Sequence, residues 1–128
     1  MTVFLPDTST LIEALRGRRD RKKHLLGLLA QGHTLACCSV TVAEIYSGFR
    51  PHEATSTEGF MAELVWFEMP FTLARKAGLL RNEWSRKGIT LALPDVLIAA
   101  TALHYNLTLI TENRKDFPMP ELNLHSMP

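Results

Sequence analysis

The sequence has almost no charge imbalance: 14 Lys and Arg stand against 13 Asp and Glu in 128 residues, a formal net charge of +1. No global field therefore draws the chain to nucleic acid, and any such binding has to come from a local patch. Cysteine is scarce as well. The only two are adjacent, Cys37-Cys38, inside an apolar run. Sequence neighbours rarely bridge each other, and nothing else supplies a metal-type cysteine spacing. They read as reduced core residues, which fits a cytoplasmic protein. No apolar stretch approaches the roughly 20 residues of a membrane-spanning helix. The N-terminus lacks the basic and apolar regions of a secretory signal. Repeats, linkers and low-complexity segments are missing. The five histidines, His24, His33, His52, His104 and His125, share no metal-ligand spacing and read as surface or helix-end residues. What remains is one domain, 1–128, with an ordinary balance of 46% hydrophobic and 21% charged residues, long enough for one real core.

What is present is an alternation of short apolar runs and helical periodicity. Residues 2–5 read as a strand and 8–16 as a helix, with Leu11, Ile12 and Leu15 at helical spacing and Gly17 breaking it. A second helix carries Leu25, Leu26, Leu28 and Leu29 and ends near Gly32. Strands are expected at 34–38, 65–69, 107–111 and 122–125, and helices at 41–50, 55–64, 71–87 and 95–105. Repeated βα alternation predicts an α/β fold with a parallel sheet covered on both faces.

Acidic residues recur just past these apolar runs. Asp7 follows Val3-Phe4-Leu5, Glu44 lies beyond Leu35-Ala36-Cys37-Cys38, Asp95 follows Leu91-Ala92-Leu93-Pro94, and Asp116 lies past Leu107-Thr108-Leu109-Ile110-Thr111. In an open parallel sheet the strand carboxyl ends lie side by side, where ligands bind. Four like charges gathered there need a compensating cation, and oxygen ligands select a hard one, Mg²⁺ or Mn²⁺. Each acid also has a structural alternative. Asp7 and Asp95 could cap the helices they open. Thr41-Val42-Ala43-Glu44 fits a capping box with Thr41 as cap. Asp116 could be a surface loop residue.

Asp7-Thr8-Ser9, Ala43-Glu44-Ile45, Pro94-Asp95-Val96-Leu97-Ile98-Ala99-Ala100-Thr101-Ala102 and Thr111-Glu112-Asn113-Arg114-Lys115-Asp116-Phe117 together resemble a PIN-domain ribonuclease, and more closely the VapC toxins of toxin–antitoxin pairs. The resemblance runs through nearly the whole chain in order and spacing. It implies a three-layer α/β/α sandwich with a mainly parallel five-stranded sheet. It also implies Mg²⁺- or Mn²⁺-dependent endonucleolytic cleavage of RNA, with inhibition by a small antitoxin. Asp7, Glu44 and Asp95 would then hold the ion, and Asp116 would bind a second ion or orient water. Thr8, Ser9 and Thr111 would hydrogen-bond the carboxylates or ordered waters. The last motif departs from the common Thr-Arg-Asn or Thr-Arg-Asp, with Glu112 in place of the arginine. Glu112, Asn113 and Asp116 therefore compete for the fourth polar position, Asp116 favoured and Asn113 second.

The basic residues are concentrated. Arg16, Arg18, Arg19, Arg21, Lys22 and Lys23 form either a solvated turn or a phosphate-contacting edge, and Arg114 and Lys115 adjoin the last acidic motif, placed to touch RNA backbone. Phe60, Trp66, Trp84 and Tyr46 are expected in the core. Ile45, Tyr46, Phe49, Phe60 and Met61 exceed the needs of one small core and mark an antitoxin groove on helices 41–50 and 55–64. Family analogy adds a homodimer, or a higher toxin–antitoxin assembly, with helix 71–87 contributing. Two alternatives stand beside the toxin: a non-catalytic module of this fold, and a PIN nuclease of RNA processing without an antitoxin.

Overall fold

In the computed structural model, which describes residues 1–127, five parallel strands form one sheet in the order β3-β2-β1-β4-β5. The strands are β1 Val3–Pro6, β2 Thr34–Cys38, β3 Val65–Phe67, β4 Thr108–Ile110 and β5 Asn123–His125. The helices are α1 Thr8–Leu15, α2 Arg21–Ala30, α3 Ser39–Ser47, α4 Ala54–Met61, α5 Phe71–Arg86 and α6 Leu93–Tyr105. The expected α/β sandwich is the observed one.

The pleat explains the two faces. Successive strand residues point to opposite sides, so Phe4, Leu35, Cys37 and Ile110 enter one core with Leu11, Leu25, Leu28 and Phe60. Leu5, Ala36, Cys38 and Leu109 enter the other with Leu73, Ala77, Val96 and Ile98. Two cores rather than one change the accounting of apolar side chains. Ile45 and Phe60, assigned above to a partner groove, are 5% exposed and belong to the first core. Trp66, expected inside, is 59% exposed on the edge strand β3 beside Val65.

Strand order also fixes where a site can form. The chain moves outward from β1 through β2 to β3, then crosses back past both to lay β4 against the other side of β1. The switch point is therefore between β1 and β4, and a crevice opens at their carboxyl ends. Backbone bonds tie that end together: Asp7 N–H donates to the Ile110 carbonyl at 2.9 Å.

Helix boundaries correct two of the capping alternatives. α3 starts at Ser39 with Cys38 before it, so Thr41 is inside the helix and caps nothing. It also ends at Ser47, short of the expected residue 50. α6 starts at Leu93 after Ala92, with proline in its first turn. Pro94 sits where its missing N–H is not needed, and Asp95 lies one residue further on, inside the first turn rather than at the cap. Gly17 does break α1, at φ +68°, a left-handed conformation that glycine adopts without steric cost.

Candidate metal centre

Asp7 leaves β1 and opens α1, and its carboxylate is nearly buried at 4% exposure. It accepts three hydrogen bonds: Thr10 N–H at 2.9 Å, Ser9 Oγ at 3.3 Å and Thr111 Oγ1 at 2.6 Å. Asp7 is thus a true helix cap, yet its other oxygen is held from β4 rather than spent on its own helix. Glu44 projects from α3 and its Oε1 accepts from Thr8 Oγ1 at 2.7 Å. The Thr8 and Thr41 hydroxyls lie 3.1 Å apart, so Thr41 supports the residue that holds Glu44. That role was not legible in the sequence, where Thr41 looked like a cap.

Asp7, Glu44, Asp95 and Asp116 line one cleft of about 330 Å³ together with Thr8, Ser9, Ile12, Asn113 and Phe117. Asp116 is not a surface loop residue; it closes the short 3₁₀ turn Arg114–Asp116 and faces the cleft. Asn113 lines the cleft too, with its side-chain amide 3.5 Å from Ser9 Oγ. Its backbone N–H donates to Thr111 Oγ1 at 3.0 Å.

Glu112 points elsewhere. Its carboxylate is bound by the guanidinium of Arg21 and by Arg19 at 3.4 Å. Of the three competitors for the fourth polar position, Asp116 and Asn113 reach the cleft and Glu112 does not. Arg114 also turns aside, donating to Ser126 Oγ at 2.7 and 3.1 Å from Nη2 and Nε.

The electrostatics follow from this crowding. Burial, then the charges of Asp116, Asp7 and Glu44, push the Asp95 carboxyl from 3.8 up to about 6. Like charges in one site disfavour simultaneous ionisation. No hydrogen bond within the described residues relieves Asp95 or Asp116. Their oxygens are left free to face solvent or a cation.

The donor set is entirely oxygen and anionic, the chemistry of a hard divalent cation. Among the described residues no three Asp, Glu, His or Cys groups converge closely enough to ligate a single bare ion.

The histidines correct an expectation. His24 on α2 and His125 on β5 are not isolated surface groups: their Nε2 atoms lie 3.2 Å apart. Burial, then His24, lowers the His125 pKa. Residues 101 apart in sequence gave no spacing signal. The two cysteines are free, as expected, and burial, then Cys38, pushes the Cys37 thiol up to about 12, so it stays protonated and inert.

This crevice of carboxylates at the switch point of a five-stranded parallel sheet is the architecture of a PIN domain, and the PIN domain family model matches residues 4–119. The chain belongs to that family. It is 33% identical over 121 residues to Ribonuclease VapC19 of Mycobacterium tuberculosis, covering 92% of this chain and 95% of the relative. Its fold is similar to VapBC2 from Rickettsia felis, solved bound to a DNA fragment from their promoter, with TM-score 0.86, 27% identity and coverage of 99% and 100%. It is also similar to a toxin–antitoxin complex from Klebsiella pneumoniae, with TM-score 0.73, 30% identity and coverage of 94% and 93%.

Proposed function

We propose that the chain is the toxin of a toxin–antitoxin pair, an endoribonuclease that hydrolyses RNA phosphodiester bonds with Mg²⁺ or Mn²⁺. The observation that carries the chemistry is the convergence of Asp7, Glu44, Asp95 and Asp116 on one cleft. The toxin assignment is supported by VapC19 as a curated relative and by the VapBC complexes as structural neighbours. Asp7, Glu44 and Asp95 would hold the ion, some directly and the rest through its bound waters, with Asp116 completing the acidic ring. A bound divalent ion would neutralise the phosphodiester and lower the pKa of a water at that position. The chain's own groups do the rest. Thr111, Ser9 and the Thr10 N–H hold Asp7 in one orientation, and Thr8 does the same for Glu44. Burial and the charges of Asp116, Asp7 and Glu44 penalise the ionised Asp95 carboxyl in the empty cleft, and a bound cation would relieve that penalty and hold it ionised. Phe117 and Ile12 give the cleft an apolar stretch of lining beside the carboxylates.

The partners follow from the same reading: single-stranded RNA as substrate, a cognate antitoxin, a homodimer of this chain and a cytoplasmic setting. Among the described residues no helix is long and apolar enough to cross a membrane. Incubating the purified chain with RNA and Mg²⁺ or Mn²⁺, with chelator as control, tests the reaction. Growth arrest on expression, relieved by Asp95→Ala and by co-expression of the adjacent small reading frame, tests the toxin role. Wild-type chain that is harmless at high expression and leaves RNA intact with either ion would overturn the proposal and leave the fold alone standing.

A further inference from the structure

An acidic cleft repels the polyanion it is meant to cut, so the strand needs a handhold beside it. The turn between α1 and α2, taken with the first residues of α2, has the required charge. Six cations against one acid, Asp20, give residues 16–23 a net charge of +5, so the remainder of the chain carries −4 of the total +1. The turn is also tied to the cleft rim. Arg19 and Arg21 both bind Glu112, which follows Thr111, the residue that holds Asp7. Arg21 is 3% exposed and also pairs with Glu13 at 3.3 Å. Its charge is spent on fixing the turn in place. Arg18, Lys22 and Lys23 are exposed and have no ion pair among the described residues. Their charge is available to a ligand.

The surface there is concave. A cavity of about 470 Å³ is lined by Arg19, Asp20, Arg21, Lys23, His24 and Gln31, among others. A second, of about 420 Å³, is lined by Gly17, Asp20, Lys22, Lys23 and Leu26. Lys23 lines both. Arg19 and Asp20 hold left-handed backbone at φ 52° and 56°, a conformation uncommon outside glycine.

We infer that the 16–23 turn is a phosphate-backbone subsite for single-stranded RNA, with Arg18, Lys22 and Lys23 as the contacting cations and Arg19 and Arg21 as positioning residues that anchor the turn to Glu112. The inference rests on the ribonuclease reading. It assigns the turn the sequence-independent part of affinity, since phosphate contacts position a nucleic acid and base contacts specify it. RNA is favoured over an acidic protein segment because the turn is two residues from a catalytic carboxylate: Arg21 to Glu112, then Thr111 to Asp7.

The test is binding of a fluorescent single-stranded RNA oligonucleotide to the full chain carrying Asp95→Asn, with and without Arg18→Gln/Lys22→Gln/Lys23→Gln. Each single-strand phosphate contact contributes about −0.7 to the slope of log affinity against log salt, so losing three should flatten the slope by about 2. In the chain that keeps Asp95, the same triple change should raise KM about tenfold or more with kcat unchanged, the signature of lost uniform binding. Unchanged affinity and slope would overturn the inference and leave the nuclease reading intact. So would an acidic peptide that binds the turn while RNA does not. RNA binding that depends on the turn, in a wild-type chain that cleaves nothing with Mg²⁺ or Mn²⁺, would support the subsite and sink the nuclease reading. The three residues are exposed, so an unchanged melting temperature certifies that the variant is folded.

Discussion

Thr111 donates its hydroxyl proton to Asp7 Oδ2 at 2.6 Å across 104 residues of sequence. The bond joins the carboxyl ends of β1 and β4, the two strands that flank the switch point. Both residues are nearly buried, Thr111 at 0% and Asp7 at 4%, so water cannot readily replace a lost donor. Thr111→Val should cost about 1–3 kcal/mol, the penalty for leaving a buried acceptor short of a donor. Thr111→Ser, which keeps the hydroxyl, should recover most of it. Urea denaturation of the two variants checks the ranking, and equal stability would show that the bond contributes nothing.

Asp95 makes an opposite kind of prediction. Its folded pKa, about 6, lies above the ordinary 3.8. An acid raised on folding is a group whose ionised form is penalised in the native state. Stability from this group is therefore fully present below about pH 4 and is lost as pH rises through about 6. Metal-free protein should lose stability across that window for this reason, and Asp95→Asn should flatten the curve. The same variant should lose metal-dependent cleavage by at least the roughly 10–100-fold that disturbing a metal's surroundings produces. A wild-type curve without that decline, measured by urea denaturation in chelator at pH 4 to 7, would contradict the assignment of Asp95 as the strained carboxyl.

How much of this was legible beforehand differs by residue. Asp7 announced itself because it directly follows a strand, β1, and the strand carboxyl ends of a parallel sheet lie together. Asp95 reaches the same cleft by another route: Leu91-Ala92-Leu93-Pro94 is not a strand but the approach to α6 and its first turn. Glu44 was legible by family pattern more than by position, since it sits well inside α3 rather than at a junction. Thr41 was misread because a Ser/Thr three residues before a glutamate is a local capping signal, whereas the structure uses that hydroxyl across elements, toward Thr8. Ile45 and Phe60 were misread because the apolar side chains were counted against one small core, whereas a sheet covered on both faces has two to fill. The Arg21–Glu112 and His24–His125 pairs were illegible: both join residues about a hundred positions apart, and no periodicity encodes such contacts.

Divalent metal should stabilise the fold. Binding to the native state alone adds about 2.7 kcal/mol when the ion is at a hundred times its dissociation constant. Protons compete for Asp95, so the gain should shrink as pH falls below about 6. Thermal melts with Mg²⁺ and Mn²⁺ at pH 7.5 and pH 5 give the comparison. A melting temperature indifferent to both ions at neutral pH would argue against a metal centre, and Asp7→Asn should remove whatever rise the wild type shows.

Arg21 provides the last test, because it separates the turn's placement from its charge. The side chain is 4% exposed and pairs with Glu13 and Glu112, whose side chains are 26% and 31% exposed. Removing one partner of a fully buried ion pair costs about 3–5 kcal/mol. Here the two glutamates can be rehydrated, so Arg21→Met should cost less, about 1–3 kcal/mol by the same reasoning. Glu112→Gln should cost less still, since it leaves a neutral hydrogen-bonding group opposite Arg21 and keeps the pair to Glu13. If the turn is held to the cleft through this pair, Glu112→Gln should weaken RNA binding more than it weakens the fold. A double-mutant cycle with Lys23→Gln, read out on RNA affinity, measures that link. Strict additivity between the two changes would mean that Glu112 and the basic turn act independently.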